Sequence, residues 1–361
     1  MFAILHRVFF RTIKMFFNSN RSADNPIVII SFKNLGDTVF TLSALRYLSE
    51  KWVGEIYLFC YEESEYIYSN SLNGFRLKVF KKHEMDLFRL LPPLKIVREV
   101  NRLRPYAAID LTAGIPTSLL VLFSRATYKY GFGNQKLGVL FDNYFPYRSY
   151  SHLMDMYGNT VSLFLKEQPE TFHIEFPVNY KTDDIILVNP FAGWAAKMWG
   201  IKKYIRLVEL LNENYEVALI FQKGELSAEL IDYLVWEKLK YTETNSIEDL
   251  VNAIRNCSIF IGNDSGPLNL ATLIGKPTFT IYGPTNPKFS MPKHPIHRYI
   301  QKQIKCSPAP DKQNCFTLGG LYCPAYECMH QLSVKEVYDA VVKTILDLNI
   351  QTLKTINNVN N

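Results

Sequence analysis

Ile261-Gly262-Asn263-Asp264-Ser265-Gly266-Pro267-Leu268-Asn269-Leu270-Ala271 places a buried strand end, a glycine-rich polar turn and an apolar helix in direct succession. That order is the signature of an α/β unit with a parallel strand, because ligands of open α/β sheets gather beyond the carboxyl ends of their strands. The free N–H groups at the start of the helix, from Ser265 to Leu268 with Pro267 contributing none, suit a phosphate or a sugar oxygen. Asp264 can accept hydrogen bonds from ligand hydroxyls. Capping by Asp264 or Ser265 accounts for one polar residue. Ligand binding accounts for the whole cluster.

Outward from this turn the same alternation recurs. Toward the C-terminus Thr278–Tyr282 reads as a strand and Val334–Leu348 as a helix, followed by a polar tail. Toward the N-terminus the pattern gives strands at Ile185–Asn189, Glu216–Phe221 and Ser258–Ile261. Helices are expected at Ile201–Asn214, Leu226–Leu239, Ile247–Asn256 and Pro267–Ile274. A polar stretch, Lys166–Asp184, separates this half from an earlier one of the same design. There Ile27–Phe32, Glu55–Tyr61, Arg76–Phe80, Tyr106–Leu111 and Thr127–Phe132 read as strands. Thr38–Lys51, Met85–Leu103 and His152–Leu165 read as helices. The expected architecture is α/β, with two Rossmann-like domains at 26–170 and 183–348 facing across a cleft, and a polar tail at 349–361.

Two further strand-to-helix turns carry polar residues. In Lys33-Asn34-Leu35-Gly36-Asp37-Thr38 the carboxylate of Asp37 stands where chemistry usually occurs, as a general base or as a helix cap. In Asn189-Pro190-Phe191-Ala192-Gly193-Trp194-Ala195-Ala196-Lys197 small residues such as Gly193 let the backbone approach a diphosphate, and Lys197 can neutralise it. Neither a Walker pattern nor a Gly-x-Gly-x-x-Gly fingerprint is present, which disfavours a dehydrogenase.

At 361 residues, with 48% hydrophobic and 20% charged residues, the chain is of a length and composition for two folded domains. A net charge of +6 suits an anionic partner such as a nucleotide, a phosphorylated glycan or a membrane surface. No nucleic-acid-binding motif accompanies it. Four of the six cysteines sit late, at 306, 315, 323 and 328. Their spacing differs from that of ordinary zinc sites, so packing is favoured over a metal role, and no metal ligands are assigned. In Met1–Phe17 the apolar Phe2, Leu5, Phe9, Ile13 and Phe16 recur at helical spacing opposite Arg7, Arg11 and Lys14. The stretch is too short and charged to span a bilayer. An amphipathic helix over residues 1–20, lying on an anionic membrane surface, is favoured over one docked on its own domain. No signal peptide precedes it, which points to the cytoplasm.

The turns together resemble glycosyltransferase family 9, the lipopolysaccharide heptosyltransferases. The similarity runs through Leu35-Gly36-Asp37 with Thr41 and Leu45, His152 near Tyr157, and Asn189-Pro190 with Lys197 and Trp199. It continues through Gly262–Pro267, Gly275-Lys276-Pro277 and Tyr282-Gly283-Pro284-Thr285, and the late cysteines also match. The resemblance implies a GT-B fold and an inverting transfer of heptose from ADP-heptose to a lipid A–Kdo core acceptor, with no cofactor or metal required. It implies Asp37 as the catalytic base. Lys197, Gly193, Glu225, Asp264, Ser265, Gly266 and Asn269 would lie on the donor side, and Lys33, Asn34, Gly36 and His152 on the acceptor side. The implied location is the cytoplasmic face of the inner membrane. Many members have histidine at the position of Asn269, and hydroxyl residues in the loop that here reads Ala192, Gly193, Ala195 and Ala196. Both departures touch the donor pocket. They keep open a hexose or N-acetylhexosamine donor with another glycan or protein acceptor, or a non-catalytic nucleotide-sugar-binding relative.

Overall fold

The computed structural model describes residues 21–86, 91–133, 135–146, 152–168, 171–172, 185–315, 323 and 325–350. The amphipathic stretch at 1–20, the polar tail from 351 and most of the connector at 166–184 lie outside the described residues. The chain separates into two compact units, Met1–Ile174 and Glu175–Asn361.

In the first unit β1 (Ile27–Ser31) leads through α1 (Leu35–Lys51) to β2 (Ile56–Tyr61), then α2 (Glu62–Ser71) and β3 (Phe75–Phe80). A short α3 (Lys82–Asp86) and α4 (Leu94–Arg102) precede β4 (Ala107–Asp110). Then follow α5 (Ile115–Phe123), β5 (Tyr128–Gly133), β6 (Asn143–Pro146) and α6 (Leu153–Leu165). The six strands are parallel in the order β3-β2-β1-β4-β5-β6. Every residue of β1 is buried, as a strand covered on both faces requires. Successive side chains point to opposite faces, so Val28, Ile30 and Phe32 share a core with Ile96, Val100, Leu120 and Val121. Ile27 and Ile29 are equally buried on the other face. Each such fully buried aliphatic side chain contributes roughly 1.5–3 kcal/mol.

The second unit repeats the plan with β7 (Ile185–Asn189), α7 (Ile201–Asn212), β8 (Glu216–Gln222), α8 (Ala228–Trp236), β9 (Lys240–Thr244) and α9 (Ile247–Arg255). It continues with β10 (Cys257–Asn263), α10 (Gly266–Leu273), β11 (Thr278–Tyr282), α11 (Pro287–Ser290), β12 (His297–Gln301), α12 (Glu327–His330) and α13 (Val334–Asp347). Its parallel strands run β12-β11-β10-β7-β8-β9. Ile186, Val188, Ile259 and Ile261 meet Trp199, Tyr204, Leu207 and Val341 in its core. Both sheets therefore have the doubly wound order, with a switch point between β1 and β4 in one and between β7 and β10 in the other.

The helix expected over Met85–Leu103 is two helices, and α4 begins after Pro93, its N-cap. Pro92 and Pro93 supply no N–H, and each disfavours helical geometry in the residue before it. Strands β6, β9 and β12 and helices α2, α5, α11 and α12 add to the elements expected from the sequence.

Candidate functional site

Asn263, the last residue of β10, fixes the geometry of the second unit's switch point. Its side-chain Nδ2 donates to the Pro190 carbonyl at 2.8 Å. Its Oδ1 accepts from the Trp199 N–H at 3.1 Å and the Tyr204 hydroxyl at 2.9 Å. One buried amide thus ties the turn after β7 to the turn after β10. Gly262 sits opposite Asn189 in the register, and a Cβ there would lie 3.0 Å from the Asn189 carbonyl oxygen. The two strand ends approach closely enough that glycine is the residue that fits without a shift.

On this frame Lys197 and Asp264 come together. Lys197 closes a 3-10 turn at Ala195–Lys197, and its Nζ donates to Asp264 Oδ2 at 2.7 Å. The Thr285 hydroxyl donates to the same oxygen at 2.7 Å. The ammonium also lies 4.7 Å from the centroid of the Trp194 ring. Side-chain exposure is 18% for Lys197 and 5% for Asp264, so the pair is largely desolvated and each charge depends on the other. Ser265 is the N-cap of α10, yet its side chain makes no capping bond. Its Oγ, like Asn189 Oδ1, is buried without a hydrogen-bond partner among the described residues. Gly266 and Pro267 open α10, where an N–H without an intrahelical acceptor and the positive end of the helix dipole favour an anion. Asn269, also buried, is the fourth residue of that helix.

The remaining donor-side candidates are peripheral to this pair. Gly193 stands at the tip of its turn with open space around it. Glu225 Oε2 accepts from the Gln222 N–H at 2.7 Å, closing the turn after β8, and burial raises its carboxyl above the ordinary value.

In the first unit Lys33, Asn34, Gly36 and Asp37 occupy the turn from β1 into α1, at that sheet's switch point. Lys33 Nζ donates to the Thr112 carbonyl at 3.0 Å and lies near the rings of Tyr157 and Phe132. The Asn34 carboxamide oxygen accepts from Lys82 Nζ at 3.0 Å. Asp37 lies in the first turn of α1 and is half-buried. Its carboxylate forms no hydrogen bond or ion pair among the described residues, so the capping role open in the sequence is not the one adopted. His152, by contrast, is a buried N-cap of α6: Nδ1 accepts from the Met154 N–H at 3.2 Å, and the ring meets Phe40 edge-on.

Sequence reasoning gave no role to Thr285 or Trp194, although both lie in turns it singled out, and it missed Asp110. Asp110 carried a signal, a charged residue at the end of the apolar run Ala107-Ala108-Ile109. Cys306, Cys315, Cys323 and Cys328 line one cavity with Ala196, Gly283 and Tyr326. Among the described residues, no group of three or more His, Cys, Asp or Glu is arranged to hold a metal ion. Among the same residues, no helix is long and apolar enough to cross a membrane.

The profile of glycosyltransferase family 9 (heptosyltransferase) matches residues 147–318. A lipooligosaccharide heptosyltransferase 2 of Campylobacter jejuni is 24% identical over 279 residues, covering 71% of this chain and 85% of that protein. A lipooligosaccharide heptosyltransferase 2 of Haemophilus influenzae is 27% identical over 158 residues, and the match spans 41% of this chain and only 44% of that relative's length. The solved structure of E. coli ADP-heptose lipopolysaccharide heptosyltransferase II superposes with a TM-score of 0.64 at 16% identity, covering 90% of this chain and 99% of that one. That likeness establishes the fold, two Rossmann-like parallel sheets of the GT-B class. Over residues 147–318, just under half of its length, the chain is thus similar to glycosyltransferase family 9, and its fold is that of the solved heptosyltransferase.

Proposed function

We propose that the chain transfers a heptose from ADP-heptose to a lipid A–Kdo acceptor of the lipopolysaccharide core, inverting the anomeric centre. The observation that carries this reading is the Lys197–Asp264–Thr285 cluster beside the start of α10. It supplies a cation and helix N–H groups for a diphosphate next to a carboxylate and hydroxyl for a sugar. Donor binding draws Lys197 toward the diphosphate, where its charge stabilises the departing ADP. Asp264, released from the pair, accepts from sugar hydroxyls, and the unpartnered Ser265 hydroxyl donates to a phosphate oxygen. Asn269 and Gly193 border the same pocket, and Glu225 receives the nucleoside.

Asp37 is the base in this scheme. The acceptor hydroxyl oxygen attacks C1 of the heptose as the C1–O bond to ADP breaks, and its proton passes to the Asp37 carboxylate. Lys33, Asn34 and Gly36 border the acceptor, while His152 serves the frame. The chain's own charges suffice for each step, so the reading calls for no cofactor. The name of the E. coli structure, an ADP-heptose enzyme, supports the choice of donor. Residues 1–17 hold the enzyme on the cytoplasmic face of the inner membrane, where such an acceptor resides.

Two measurements test the reading. In a thermal-shift panel of ADP, UDP, GDP and CMP sugars, ADP-heptose should stabilise the protein most; a preference for UDP-sugars would remove heptosyl transfer. Asp37→Asn should lower transfer by roughly 100- to 10,000-fold while ADP binding persists. Unchanged turnover in that variant would sink the base assignment.

A further inference from the structure

Asp110 ends β4, beside β1 at the switch point of the first sheet, and it is fully buried. Oδ1 accepts from the backbone N–H of Thr112 at 2.8 Å and of Ala113 at 3.2 Å. Oδ2 accepts from the hydroxyls of Thr117 at 3.0 Å and Ser118 at 3.4 Å. The carboxylate therefore shapes the whole turn from β4 into α5. That turn is strained: Ala113 has φ +63, which residues with a Cβ rarely adopt. A Cβ on Gly133, at the end of β5, would lie 3.0 Å from the Ala113 Cβ, so the neighbouring strand leaves just enough room for the bend.

The turn is fastened in that shape to the segment that carries Asp37. Thr112 Oγ1 accepts from the Phe32 N–H at 2.9 Å, and the Thr112 carbonyl accepts from Lys33 Nζ at 3.0 Å. On the opposite side, the Lys33 carbonyl accepts from the Ser64 hydroxyl at 3.1 Å, and Ser64 is bonded to Thr38 at 2.7 Å. Beneath it the Tyr68 hydroxyl joins Ser31 at 2.8 Å and Thr41 at 2.9 Å. The segment from Phe32 to Asn34 is gripped from both flanks. A backbone so held, with strain maintained at its partner turn, fits a requirement for placement at the start of α1 more than a requirement for stability alone.

We infer that Asp110 is a positioning residue, which acts through Thr112 to fix the β1–α1 turn and hence the placement of the Asp37 carboxylate against the acceptor hydroxyl. The inference rests on Asp37 being the base. The contacts on Asp110 are with the chain itself, and it touches no substrate.

The test uses the full-length enzyme with Asp110→Asn, Thr112→Val and Thr112→Ser. Transfer kinetics, ADP affinity and amide hydrogen exchange of the segment 30–38 are measured in each. Asp110→Asn and Thr112→Val should lower kcat roughly tenfold to a hundredfold, as small misplacements of a reacting group do. The donor KM and ADP affinity, set in the second unit, should stay at wild-type values. Exchange at Phe32 to Gly36 should rise in both variants, and Thr112→Ser, which keeps the hydroxyl, should restore both kcat and protection. Wild-type kcat in Thr112→Val, or unchanged exchange in both variants, overturns the inference. Should Asp110→Asn fold poorly, Thr112→Val decides the matter from outside the buried site. Transfer from a donor other than ADP-heptose refutes the donor assignment alone, because the variants are then compared on that donor.

Discussion

Asp264 is the more buried partner of its ion pair, and it also holds Thr285, so the two charges are not equivalent. Replacing Lys197 by Met strands a carboxylate in a desolvated pocket, which costs about 3–5 kcal/mol. Urea denaturation should show that loss, and calorimetry should show ADP affinity falling at least about tenfold, since a point charge facing a diphosphate is gone. The double variant Lys197→Met/Asp264→Leu should regain most of the stability and none of the affinity. Recovery of both together would place the diphosphate elsewhere. Asp110 offers a second test at this scale. Burial raises its carboxyl from the ordinary value to about 6, against the lowering effect of its hydrogen bonds and of Lys33, with the Tyr144 hydroxyl also in its field. A folded-state pKa above the unfolded one means a contribution to stability that is complete below about pH 4. It is lost as pH rises through about 6. The stability of the wild type relative to Asp110→Asn should therefore decline over that window by on the order of 3 kcal/mol, then level off. A flat difference in urea titrations would show that the hydrogen bonds offset burial. Asp37, Lys197 and Asp264 stood out in the sequence as candidates because each sits in a strand-to-helix turn. Thr285 and Trp194 did not, since a threonine or a tryptophan in a loop acquires a role only from what the fold brings opposite it.

At the scale of elements, glycine at 262 is what lets β10 run against β7 at the proposed donor pocket. Gly262→Ala forces the added methyl toward the Asn189 carbonyl, 3.0 Å away in the present backbone. Overpacking at a buried strand costs about 1–3 kcal/mol. It should also weaken ADP binding, because the displaced strand end carries Asn263, which ties together the two turns of the proposed donor site. A variant with wild-type denaturation midpoint and ADP affinity would show that the strands separate freely. Elements with nearly continuous apolar runs, such as β1 and β10, were readable because burial on both faces favours apolar side chains along most of the strand. The edge strands β9, Lys-Tyr-Thr-Glu-Thr, and β12, His-Arg-Tyr-Ile-Gln, were not. Half-exposed edges take polar residues, which erases the signal. Helix α2 was missed for a related reason: its buried residues are Ser64, Ile67 and Tyr68, and two of those three serve the hydroxyl network beneath Lys33.

Across the whole molecule, two sheets of the same strand order each present polar turns at a switch point, the proposed base in one and the proposed donor cluster in the other. This duplication explains why the restart of the α/β pattern after the connector was legible, while the meeting of Asp110 and Thr112 with the β1–α1 turn was not. Sequence periodicity reports which face of an element is buried; it does not report which turns share a crevice. The same division sets the expectation for attachment. The sequence of Met1–Phe17 opposes Phe2, Leu5, Phe9, Ile13 and Phe16 to Arg7, Arg11 and Lys14, and the whole chain carries a net charge of +6. Aromatic side chains at the headgroup boundary and a basic stripe facing anionic lipid act together, and the electrostatic part is screened by salt. Full-length protein should therefore sediment with anionic vesicles and be partly released at high ionic strength. Deletion of residues 1–20 should abolish sedimentation and slow transfer to a vesicle-embedded acceptor. It should leave transfer to a delipidated acceptor unchanged, since neither switch point includes those residues. Equal sedimentation of the two forms would instead place the apolar face of that segment against its own domain.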